Sequence, residues 1–272
     1  MSVLARRMLS LFFLSQLIVV SAYAKKHETG FLDRTVTLQG KTYRYQVYVP
    51  ENWTSHLKWP VILFLHGAGE RGDDGLLQTD VGIGSAIRED RDRIPAIVVM
   101  PQCQKSFWWI QPPMQDVAIA ALEAATKEFA GDPQRTYLTG LSMGGYGCWR
   151  LAERYPGRFA ALVVICGGIR APAPAIKAVP ELAKWTPPDD PKSYEAVAAK
   201  IGNTPVWIFH GANDDIIPVK ESQRMYAAMK QVSSDAHYTE YPGVGHFAWV
   251  KAYDEPKLYP WLFSKSLSSN PK

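Results

Sequence analysis

The chain has 272 residues, 47% of them apolar and 21% charged, with 20 Gly and 20 Pro. Those proportions exclude collagen-like, disordered and coiled-coil classes. The formal charge is +4, and two of the positives, Arg6 and Arg7, fall in a leader-like segment, so the remainder carries no electrostatic footprint for nucleic acid.

Residues 1–24 read as a signal peptide. Arg6 and Arg7 form a positive start, Leu9 to Val20 is mostly apolar, and Ala22-Tyr23-Ala24 is an A-x-A cleavage site ahead of Lys25. A membrane anchor would need about 20 apolar residues, more than this stretch offers, and no later run suits one. The expectation is a secreted or periplasmic bacterial protein with no stable membrane anchor after cleavage, residues 25–272 forming one catalytic domain. Three cysteines, Cys103, Cys148 and Cys166, leave at least one thiol outside any internal disulfide, and no C-x-x-C pair is present.

Along the chain, Phe31 to Val49 alternates around Gln39-Gly40 and reads as a hairpin. Short apolar runs follow at Val61–Leu65, Ala96–Met100, Tyr137–Thr139, Ala161–Ile165 and Val206–Phe209. Being apolar on both faces, they fit strands buried within a parallel sheet. Helical patterns lie between several of them, at Met114–Ala130, Met143–Tyr155 and later Val219–Met229. This order predicts an α/β fold: a mostly parallel central sheet covered by helices on both faces and entered through an antiparallel hairpin. Residues 170–200, rich in Pro and Ala, break the alternation and read as an insertion of the lid kind.

The chemistry gathers at Gly140-Leu141-Ser142-Met143-Gly144, a G-x-S-x-G between a strand and a helix. That setting makes a nucleophile elbow, because Gly at both flanks lets backbones crowd a strained Ser. A hydroxyl needs a base, and in this setting the acid and then the His follow the Ser in the chain. His237 lies inside the alternating strand Ala236–Tyr241, whereas His246 lies in the loop Gly243-Val244-Gly245-His246-Phe247, free to reach Ser142. The acid is one of the adjacent pair Asp214 and Asp215, after the strand ending at Phe209. Gly67-Ala68-Gly69-Glu70-Arg71-Gly72 also satisfies G-x-G-x-x-G, but it runs into the turn Asp73-Asp74-Gly75 rather than opening a helix, so the dinucleotide reading fails. No H-E-x-x-H, P-loop or EF-hand pattern occurs, and neither a cofactor nor a metal is expected.

Four segments carry a resemblance to a known family: Leu65-His66-Gly67-Ala68-Gly69-Glu70-Arg71-Gly72, Pro101-Gln102-Cys103, Thr139 to Gly147, and the stretches around Asp214 and His246. Through them the chain resembles the α/β-hydrolase superfamily. It is most similar to secreted esterases and so-called predicted peptidases near the phospholipase/carboxylesterase, dienelactone hydrolase and feruloyl or acetyl-xylan esterase groups. The resemblance implies a triad of Ser142, Asp214 and His246, Asp214 being preferred over Asp215. It implies oxyanion donors at the backbone N–H groups of Ala68 and Met143, with the His66 side chain bracing its loop. The implied reaction is hydrolysis of a carboxylic ester, on a small molecule or linked to carbohydrate, through an acyl-enzyme. Peptide or amide hydrolysis by the same triad is the alternative. Trp108, Trp109, Trp185 and Trp249 lie in loops or near motif ends and are the candidates for lining a substrate pocket.

Overall fold

The computed structural model describes residues 28–268, so the leader segment lies outside the described residues. Eight strands form one sheet: β1 (Gly30–Leu38), β2 (Lys41–Val49), β3 (Trp59–Leu65), β4 (Ile97–Pro101), β5 (Gly131–Leu141), β6 (Ala161–Ile165), β7 (Val206–Gly211) and β8 (Ala236–Tyr241). Their order is β1-β2-β4-β3-β5-β6-β7-β8. The first two form the expected hairpin, with Leu38 opposite Lys41 across a two-residue turn. Gln39 and Gly40 both have positive φ, 51° and 76°, the backbone that matches the twist of such hairpins. β2 pairs antiparallel with β4, and every later pairing is parallel.

Parallel strands need covering on both faces. Among the described residues the α-helices are α1 (Ile83–Glu89), α2 (Pro112–Glu128), α3 (Met143–Arg154), α4 (Ala173–Ala178), α5 (Pro191–Ile201), α6 (Lys220–Val232), α7 (Trp249–Asp254) and α8 (Leu258–Phe263), and all but α4, which buries no residue, supply that cover. The two-residue period of each strand splits its side chains between two cores. Val61, Leu63, Leu138, Leu162, Val164 and Ile208 meet residues of α2, α3, α5 and α6 on one face. Ile62, Phe64, Tyr137, Val163, Ile165 and Phe209 meet α1, α7 and α8 on the other. Burying each such side chain is worth about 1.5–3 kcal/mol relative to leaving it in water, which is why these runs become the centre of the sheet.

Two expectations need correction. The strand before Ser142 begins at Gly131, six residues ahead of the apolar run that signalled it. Residues 170–200 are not wholly an insertion: α5 buries Tyr194, Val197, Ala198 and Ile201 and serves as the crossover helix between β6 and β7. What remains, 170–190, is tied to α3 by Arg150 donating to the Trp185 carbonyl and to α6 by the Arg224–Asp189 ion pair at 2.6 Å. Among the described residues no helix is long and apolar enough to cross a membrane.

Candidate functional site

The carboxyl ends of β3, β5, β7 and β8 emerge on one edge of the sheet, where open α/β sheets place their ligands. Ser142 follows β5 directly and caps α3 with φ 51° and ψ −119°, a strained backbone for a non-Gly residue. The strain is held by close backbone packing. A Cβ on Gly144 would lie 1.8 Å from the Leu65 carbonyl oxygen, and one on Gly140 would lie 2.6 Å from that of Gly144. The Ser142 N–H donates to the Ile165 carbonyl at 2.9 Å, fixing the turn to β6.

From this elbow the Ser142 Oγ reaches His246 Nε2 at 2.9 Å, and His246 Nδ1 reaches Asp214 Oδ2 at 2.8 Å. Asp214 also accepts at Oδ1 from the N–H groups of Ile216 at 2.9 Å and Ile217 at 2.8 Å. Burial alone would raise its pKa. Hydrogen bonds from His210, His246 and the Ile217 amide outweigh that and hold the carboxyl well below the usual carboxylate range. It is therefore ionised wherever the imidazole is neutral. Asp215 is exposed, and His237 pairs with Asp235 at 2.7 Å on the far end of β8 from this edge. The geometry thus brings together Ser142, His246 and Asp214 from the sequence candidates, and leaves out the alternatives beside them.

The loop after β3 runs alongside. His66 is fully buried; its Nε2 accepts from the Cys103 N–H at 2.9 Å and its Nδ1 bonds the Gly67 carbonyl at 2.6 Å. Burial pushes its pKa down to about 4, so it is a neutral brace, as expected. Among the described residues neither the Ala68 nor the Met143 N–H donates to a protein acceptor. The Gly67–Gly72 stretch opens no helix, and the next α-helix starts at Ile83. Beside it, burial raises the Glu70 carboxyl, against hydrogen bonds from its own amide and that of Gly67.

The tryptophans divide. Trp109 is fully buried and donates from its indole to the His66 carbonyl at 3.0 Å; Trp108 is 7% exposed, with its ring against Tyr146. Both belong to the core, a correction whose cause is the buried acceptor that the Trp109 indole finds beneath the loop. Trp185 is partly exposed on the 170–190 segment. Trp249 stands edge-on to His246, ring centres 5.4 Å apart, and Phe247, 68% exposed, packs on Trp249 at 4.9 Å. Sequence reasoning passed over Phe247 although it adjoins His246. It also missed Cys166, whose sulfur lies within 4.8 Å of ligand atoms of Asp214 and His246; burial raises that thiol and keeps it protonated. All three cysteines are free and buried.

The model of the prolyl oligopeptidase family (peptidase S9) matches residues 108–265, more than half of the chain. A poly(3-hydroxyoctanoate) depolymerase of Pseudomonas fluorescens is 32% identical over 130 residues, 47% of this chain and 40% of that protein. The solved structure of a thermostable esterase superposes with a TM-score of 0.70 at 29% identity, covering 87% of this chain and 63% of that one. An S-formylglutathione hydrolase of Staphylococcus aureus shares the fold, with a TM-score of 0.65 at 16% identity over 86% of this chain and 96% of its own. The chain thus spans less than two thirds of the length of the depolymerase and of the thermostable esterase. The chain belongs to the prolyl oligopeptidase family and has the α/β-hydrolase fold.

Proposed function

We propose that the protein hydrolyses carboxylic esters through an acyl-enzyme, with Ser142 as nucleophile, His246 as general base and acid, and Asp214 as the carboxylate that orients the imidazole. The observation that carries this reading is the continuous line Ser142 Oγ to His246 Nε2 to Asp214 Oδ2 at 2.9 and 2.8 Å. With its Nδ1–H donating a hydrogen bond to Asp214, His246 presents a lone pair at Nε2 to the Ser142 hydroxyl. Attack on the ester carbonyl moves the hydroxyl proton to His246 and leaves negative charge on the former carbonyl oxygen. The Ala68 and Met143 amides receive that charge, each such donor being worth about 3 kcal/mol. Collapse expels the alcohol, which takes the proton back from His246. Water, activated by the same imidazole, then releases the acid and restores Ser142.

Esters are favoured over peptides by the kind of proteins the chain resembles: the thermostable esterase at 29% identity and the polyester depolymerase at 32%. The aromatic pair Phe247 and Trp249 beside His246 suits an apolar acyl or alkoxy group on a small or carbohydrate-linked ester. With the leader-like residues 1–24, the proposed setting is outside the cytoplasm. The test is hydrolysis of short-chain aryl esters, methyl ferulate, acetylated xylan and peptide anilides by the protein and by Ser142→Ala. Ester cleavage by the unaltered protein alone supports the proposal. Cleavage of anilides with no ester turned over replaces it with a peptidase.

A further inference from the structure

The carboxylate that orients His246 has a second imidazole on it. His210 sits at i−4 from Asp214, near the end of β7, and its Nε2 lies 3.1 Å from Asp214 Oδ2, the same oxygen that accepts from His246. That ring is fully buried and has a partner at each nitrogen: Nε2 also faces the Ile217 carbonyl at 3.0 Å, and Nδ1 faces Ser222 Oγ on α6 at 2.7 Å. Two acceptors at Nε2 require the proton to be there, so Nδ1 accepts from the Ser222 hydroxyl.

We propose that His210 is a positioning residue for the reaction, acting through Asp214. The assignment rests on the triad reading given above. An Asp carboxylate offers about four lone-pair directions, and here four groups face it: the Ile216 and Ile217 amides donate to Oδ1, His246 bonds Oδ2, and His210 Nε2 stands 3.1 Å from Oδ2 with its one N–H shared with the Ile217 carbonyl. The amides alone leave the carboxylate free to pivot about its Oδ1 side. The His210 N–H, anchored to α6 through Ser222 and to the loop through the Ile217 carbonyl, removes that freedom and fixes Oδ2 where His246 Nδ1 meets it. Removing the donor should let the imidazole wander off Ser142 while leaving substrate contacts in place. The titratable groups in electrostatic reach of this pair are Cys166 just after β6, Tyr146 on α3 and Glu240 on β8, with Glu221 buried on α6. None of them is shown bonded to the Asp214 carboxylate.

The test compares His210→Gln, whose amide nitrogen falls near the position of Nε2, with His210→Asn, which reaches only as far as Nδ1. Readouts are kcat and KM on an aryl ester and, separately, the rate at which a fluorophosphonate labels Ser142, with thermal unfolding as the control for folding. The expected result is a ten- to hundred-fold fall in kcat and in labelling rate for His210→Asn, KM staying within about two-fold, and recovery to within a few-fold of the unaltered protein in His210→Gln. Equal activity of a folded His210→Asn, or equal impairment of both variants, overturns the proposal. So does the tautomer: long-range 15N–1H spectra of the unaltered protein, which need no variant to fold, should show the His210 proton on Nε2, and a proton on Nδ1 contradicts it. Should Ser142 label rapidly while no ester is turned over, the ester reading fails and the His210 assignment is still decided by the labelling rates.

Discussion

Trp109, at the entry to α2, donates its indole N–H to the carbonyl of His66 at 3.0 Å, and the two rings meet edge-to-face at 5.1 Å. Through this pair the loop carrying Ala68 is fastened to the buried core rather than left to solvent. A Cβ on Gly147 would come within 2.4 Å of the Trp109 Cβ, so the same indole is wedged between that loop and the helix behind Ser142. Ser142 and the loop are positioned by one buried side chain, which gives the proposed oxyanion donors a rigid base.

The choice between the adjacent carboxylates is open to a direct comparison. Asp214→Asn should lower kcat about ten-thousand-fold, because an amide at that place cannot hold His246 in the required tautomer. Asp215→Asn should stay within about three-fold, its side chain being exposed. Steady-state rates of the two variants on one ester check both statements, and a reversal of the two outcomes would move the acid to Asp215.

Crowding at the elbow predicts a stability defect with a defined cause. In Gly144→Ala the added methyl meets the Leu65 carbonyl at 1.8 Å unless β3 and α3 part. Backbone on both sides leaves little to yield, so the cost should reach the upper end of overpacking penalties, about 3 kcal/mol or more. Gly157→Ala is the contrast: its Cβ would meet nothing within 4 Å, though φ is +72°, so only local strain of about 1 kcal/mol is expected. Urea unfolding of both variants separates the two effects, and equal losses would refute the packing argument.

His66 should write its own signature into stability against pH. Its folded pKa is lowered to about 4 from 6.5 by burial. Above pH 6.5 both states are neutral and the shift contributes nothing to the slope. As pH falls from there, the unfolded chain takes up a proton that the folded one refuses, so stability is lost until about pH 4, by about 3 kcal/mol in all. Asp214, depressed in the folded state, loses its contribution only at lower pH, and Glu70, raised by burial, works in the opposite sense. Denaturant titrations at pH 7.5, 5.5 and 4.5 should show this loss, and His66→Gln should flatten it. A slope unchanged by the substitution would place its origin elsewhere.

Much of this was legible from residue patterns, for reasons that differ by element. Strands such as Ala161–Ile165 announce themselves because burial on both faces demands an unbroken apolar run. Ser142 is legible because a strained turn between backbones in contact tolerates only Gly at its flanks. The short helices α1, α7 and α8 carry too few turns for a period to emerge, and α5 is hidden behind the prolines that precede it. Trp109 reads as a pocket residue in the sequence because loop position says nothing of what lies above it. His210 was passed over because a His in a buried strand declares no partner until α6 and the β7 loop fold around it.

If Ser142, activated by His246 and Asp214, is the operating nucleophile, labelling with a fluorophosphonate followed by mass spectrometry of the peptides tests it most directly. One phosphonylated residue, Ser142, is expected, with labelling slowed by about a thousand-fold or more in His246→Ala, the scale on which triad members act together. Labelling at another serine, or a rate indifferent to the loss of His246, would contradict it.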